Sequence, residues 1–139
     1  MIRLIARNPT AQGSCEETFE GYVNITPSLT AQISVTDFSG TPITPDFCQE
    51  SNPPLTAFEA RFNDASTGTI TPTTTWRWEF YDENNALVFE APSGGGFSET
   101  APGPHDRIFA NPGIYRVVLR IRDDLTDCES SDEVQVRVF

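Results

Sequence analysis

The chain has 139 residues, enough for one domain with a real core and too few for two of ordinary size. Its nine basic residues are all arginine and face 20 carboxylates; the net charge of −11 repels nucleic acid and anionic membranes. No apolar run approaches the roughly 20 residues needed to span a bilayer.

Residues 1–5 are too short for a signal peptide and lead straight into a strand, so any export signal is expected elsewhere, as in a fragment of a longer protein. Residues 4–8 and 18–25 read as two strands joined by a loop with Cys15 at its end. A short strand follows at 31–36, turned at 37–40, and then an irregular loop at 42–54 that contains Cys48. In the next strand, 55–63, Phe58, Ala60 and Phe62 share one face while Glu59 and Arg61 take the other. Residues 68–73 turn into a strand at 75–82 with Trp76, Trp78 and Phe80 inward. Residues 86–90 form a short edge strand bounded by Pro92, and glycines 94–96 and the Pro102, Gly103, Pro104 run bracket a flexible connection.

Residues 107–109 lead through a Pro112, Gly113 turn into the longest alternating stretch. There Tyr115, Val117, Leu119 and Ile121 oppose Arg116, Arg120 and Arg122, with Val118 breaking the pattern. A period of two marks half-buried antiparallel strands. About seven short strands at this spacing, without an amphipathic helical stretch, predict an all-β chain built as a two-sheet sandwich. Its expected core is Trp76, Trp78, Phe80, Tyr115, Val117, Leu119 and Ile121.

The two ends of the chain repeat one another. Cys15 to Ile25 spans ten residues and Cys128 to Val138 spans ten, each preceded by a strand and a loop that differ in spacing by two. The simplest account is a tandem array in which residues 1–27 finish a preceding repeat and 28–139 form the complete unit. Donation of the hairpin to a neighbouring subunit is the alternative, since an unpaired edge invites strand addition.

Trp78, Phe80 and Asp82, followed by Phe109, Gly113, Tyr115, Val117 and Leu119, resemble the hallmarks of the PKD (polycystic kidney disease type) domain, an Ig-like β-sandwich of extracellular proteins. Tyr81 and Glu83 stand where that family usually has glycines, and Asn84 and Asn85 are expected to supply the turn instead. The resemblance covers roughly residues 28 to 139. It implies a non-catalytic repeat of a large secreted or cell-surface adhesin or filament protein, a rigid spacer and adhesion module similar to repeats of gliding-motility adhesins in the Bacteroidetes group. The competing implication is an accessory polysaccharide- or protein-binding PKD module of an exported hydrolase. Partners implied are neighbouring repeats or subunits of the same protein, and surface polysaccharide or protein.

The resemblance also implies a Cys48–Cys128 disulfide tying the first loop to the last hairpin. Closing about 80 residues would add roughly 4–5 kcal/mol through loop entropy. Cys15 would then bond outside the chain; three reduced thiols are the other reading. Some PKD domains bind calcium, which makes Asp82, Glu83, Asp123, Asp124 and Asp127 candidate ligands, although a solvated acidic rim explains them as well. Glu129, Asp132 and Glu133 form a further acidic group. No other cofactor is expected. His105 reads as a solvent-exposed loop histidine, glycines 94–96 lack the strand and helix of a phosphate cradle, and the Asn24, Ile25, Thr26 sequon is a low-value match. No nucleophile motif supports catalysis.

Overall fold

Alternating apolar residues leave this chain little choice but strands, and turn residues decide where each one stops. The computed structural model describes residues 1–8, 15–23, 29–48 and 57–139. Among these the strands are β1 (Ile2–Asn8), β2 (Cys15–Gly21), β3 (Leu29–Thr30), β4 (Ile33–Thr36), β5 (Asp46–Phe47), β6 (Phe58–Asp64), β7 (Thr67–Gly68), β8 (Thr74–Tyr81), β9 (Leu87–Ala91), β10 (His105–Phe109), β11 (Gly113–Asp123) and β12 (Cys128–Val138). No described residue is helical. The sequon and Ile25 lie outside the described residues, as do 49–54 of the irregular loop.

Two sheets carry the core, one in the order β10-β6-β4 and the other in the order β5-β12-β11-β8-β9. They face each other in a sandwich-like arrangement: Phe62 of β6 meets Phe80 of β8 edge-on at 5.4 Å and Phe109 of β10 at 6.2 Å. Trp78, Val117, Leu119, Ile121 and Val136 lose all contact with solvent, and Phe80 and Tyr115 nearly all. Trp76 is only half-buried, because it sits at the rim, where its indole N–H donates to Asp64 Oδ2 at 2.7 Å. Val118, on the outer face, is nevertheless buried: its register neighbours are Glu79 and Glu133, and long charged side chains cover apolar surface with their stems.

Two turns have specific causes. Asp82 Oδ1 accepts from the backbone N–H groups of Asn84 and Ala86 while Asn85 takes a left-handed φ of 60°, so the asparagines close the β8–β9 hairpin. At Gly113 a Cβ would lie 2.7 Å from the Cβ of Glu83, a distance only glycine avoids.

The proposed disulfide is corrected by strand register. β5 runs parallel to the last residues of β12, pairing Asp46 with Arg137 and Phe47 with Val138. Cys48 therefore stands at one end of β12 and Cys128 at the other, about 30 Å away along a strand of this length. A disulfide needs Cα atoms within about 7 Å, and both thiols are free. The parallel β5 pairing itself was hidden in what reads as an irregular loop.

Candidate functional site

The first hairpin, β1–β2, is closed by Asn8 opposite Cys15, and the last, β11–β12, by Asp123 opposite Cys128. Counting back from the closing pairs, Ile2, Leu4 and Ala6 occupy the places of Val117, Leu119 and Ile121. Those three β11 residues are fully buried, whereas Ile2 is 61% and Leu4 63% exposed. Phe19, opposite Leu4, is 69% exposed, and Tyr22 and Val23 stand out further along. The hairpin is a separate two-stranded sheet and gives no described residue to the core. Arg3 pairs with Glu20 at 2.6 Å on its other face. The Leu4 face is mostly apolar and uncovered, with Glu17 opposite Ala6, while the other carries Arg3 and Glu20 beside an exposed Ile5.

The tip of β11–β12 is locked. Asp123 Oδ2 accepts from the Thr71 hydroxyl at 2.8 Å, and Oδ1 from the Thr73 hydroxyl and the backbone N–H groups of Leu125 and Thr126. The Thr71 hydroxyl foremost, opposed in part by desolvation and helped by the two amides, holds this carboxyl below its usual range. A carboxylate so fully engaged has a structural role already. Asp124 pairs with Arg122 at 2.8 Å, and Asp127 takes a left-handed φ of 55° in the turn.

The candidate calcium ligands are not brought together. Asp82 and Glu83 follow Tyr81, which pairs with Arg116, while Asp123 pairs with Thr74. Seven residues of β11 separate these levels, about 23 Å. Among the described residues no three His, Cys, Asp or Glu side chains form a metal-holding group.

His105 corrects another expectation. It opens β10, opposite Phe62, and faces inward against the rings of Trp78, Phe80 and Phe89 at 5.3, 6.1 and 5.8 Å. Desolvation, and then the Arg107 charge, push its pKa down; a hydrogen bond to the Ala101 backbone pulls the other way. Two positions on, Arg107 also turns inward, its guanidinium 3.5 Å from the Phe89 ring centre and 4.8 Å from that of Phe80. It stacks where the facing β6 residue is the small Ala60. The strict alternation of β10 was the available signal for both side chains, masked by its short length and by Pro104.

No family model, no curated protein and no solved structure matches the chain.

Proposed function

We propose that the chain is a non-catalytic PKD-like repeat of a large secreted or cell-surface protein, a spacer and adhesion unit that joins neighbouring repeats or subunits of the same protein through its N-terminal hairpin. The observation that carries this reading is the pair of hairpins with matching strand pairing, counted from Asn8–Cys15 and Asp123–Cys128, and opposite burial. Completing the first one as the last is completed would bury Ile2, Leu4 and Val23, which stand in the places of Val117, Leu119 and Val136, and each large apolar side chain buried gains about 1.5–3 kcal/mol.

The shape of the unit supports a spacer. Ala31 N–H donates to Ser130 Oγ near the start of β12, while Phe139 N–H donates to the Phe47 carbonyl at its end. The two ends of the sandwich unit thus stand at opposite poles, about 30 Å apart, as a head-to-tail rod requires. Its outer β8–β11–β12 face is a ladder of Arg77, Glu79, Arg120, Arg116 and Glu133 pairs rather than a row of sugar-stacking rings. That favours contacts end to end over a polysaccharide platform.

The test compares the full chain with residues 29–139 by light scattering and urea unfolding. The shorter chain is expected to stay monomeric and keep its unfolding midpoint, and the full chain to associate as concentration rises. A full chain that stays monomeric at high concentration, or a 29–139 chain that does not fold, overturns the reading.

A further inference from the structure

The open side of the sandwich lies between β9 and β10, each the edge strand of its own sheet. Arg107 occupies this mouth. The other arginines with described side chains meet carboxylates: Arg3 with Glu20, Arg61 with Asp106, Arg77 with Glu79, Arg116 with Glu133, Arg120 with Glu79, Arg122 with Asp124 and Arg137 with Asp46. Arg107 donates only from Nη1, to the Asp106 backbone carbonyl at 3.1 Å. Its Nε and Nη2 are buried with no acceptor among the described residues, as is Trp78 Nε1 on the same aromatic wall.

Nε and Nη2 form the side-on edge of a guanidinium, the edge that grips a carboxylate with two parallel hydrogen bonds. The neighbouring strand shows the filled version: Arg61 Nε and Nη2 clamp the two oxygens of Asp106 at 2.7 and 3.0 Å. Arg107 presents the same edge, buried and unpaired among the described residues, while Phe89 supports the flat face of the ion. An inward charge on an edge strand also deters strand addition. Charge alone would serve that purpose; turning the donor-rich edge into the interior adds the cost of unpaired buried donors, which an acceptor removes.

We propose that the mouth between β9 and β10 binds a carboxylate side-on to Arg107 Nε and Nη2, with the Trp78 Nε1–H as a further donor on the same aromatic wall. A singly charged, planar acceptor fits better than a phosphate. Among the described residues Arg107 is the cation stacked on Phe80 and Phe89, and the nearby acids are already engaged, Glu90 by Arg77 and the Gly94 N–H, Asp106 by Arg61. Entry requires β9 and β10 to part. β9 is irregular at this point, its pairing with β8 shifting between Phe80 and Tyr81, and a groove of about 300 Å³ runs along it past Leu87, Val88, Phe89, Glu90 and Ser93. The carboxylate can be a free small acid or an acidic side chain carried on an extended strand.

The experiment is side-chain nitrogen NMR of the full chain, titrated with sodium acetate, with sodium chloride at matched ionic strength, and with an acetylated, amidated Val-Val-Glu-Val-Val peptide. The Arg107 Nε–H and Trp78 Nε1–H signals are expected to move together and saturate with acetate or peptide, not with chloride. Arg107→Lys, which keeps the charge and loses the fork, is expected to weaken binding at least about tenfold, and Arg61→Lys to leave it unchanged. A peptide about tenfold tighter than acetate assigns a strand-borne acid; equal affinities assign a free one. Shifts that follow chloride equally, an adventitious ion only, overturn the proposal, as does unchanged affinity in Arg107→Lys. If Arg107→Lys fails to fold, the wild-type signals decide: Arg107 Nε must saturate while Arg61 Nε stays still.

Discussion

The hairpins β1–β2 and β11–β12 share a closing register and, along the first strand, an apolar face, yet Leu119 has no solvent contact and Leu4 is 63% exposed. Alternation decided which side chains point the same way in both. What differs is the neighbourhood: β11 has β8 on its other edge and the β10-β6-β4 sheet across from it, while among the described residues β1 pairs with β2 alone. A strand's pattern is thus an offer of burial, and a third strand and a facing sheet are what accept it. The unit also protects its other edges, with an irregular β9, an inward Arg107 on β10, and Ser130 and Asp132 side chains accepting from the Ala31 and Ile33 N–H groups beside β12. The first hairpin has no comparable guard among its described residues.

The sharpest way to break this comparison is to truncate the two equivalent leucines. Leu119→Ala should destabilise the fold by about 2–5 kcal/mol, the range for large-to-small core changes. Leu4→Ala should change monomer stability by no more than about 0.5 kcal/mol and weaken self-association instead. Urea unfolding at low protein concentration reads both; similar losses in the two variants would mean that the first hairpin is part of the same core.

A smaller effect is expected at the closing pair, where Asn8 of β1 stands in the place of Asp123. Asp123→Asn gives β11 that residue and removes the charged acceptor from the Thr71 hydroxyl and the Leu125 and Thr126 amides. Because the folded carboxyl titrates below its ordinary value, its contribution is present above about pH 4 and is lost as pH falls further. Thermal melts should therefore show the wild type ahead of Asp123→Asn at neutral pH and the gap narrowing toward pH 3. A gap independent of pH would remove the charge from the explanation.

The smallest effect is expected at the cysteines. Since Cys48 and Cys128 are free and stand at opposite ends of β12, replacing both with serine should leave stability within about 0.5 kcal/mol. Peptide mapping of air-oxidised monomer without reductant should find no Cys48–Cys128 linkage; finding one would contradict the β5–β12 register.

Much of the architecture was legible in the chain. Phe58, Ala60 and Phe62, then Trp78 and Phe80, then Tyr115 to Ile121, announce their buried faces because side chains alternate across a pleated strand. The duplicated hairpin was legible for the same reason, through equal spacing from each cysteine. The inward course of β10 was not: five residues after Pro104 carry too short a pattern, and a histidine and an arginine obscure it. Nor was β5, two residues whose only pairing is with the far end of the chain.

By itself, then, the sequence determined the β class, the turns at Asn85 and Gly113, and which residues share a face, since these depend on neighbours within a few residues. Only the tertiary structure decided that Cys48 and Cys128 stand apart, that the acidic clusters split between poles, and that Arg107 stacks on Phe89 with Nε and Nη2 unpaired among the described residues. Those outcomes depend on register between distant strands, and a shift of a few residues along β11 or β12 moves a side chain by about 3.3 Å per residue, enough to make or unmake a bond.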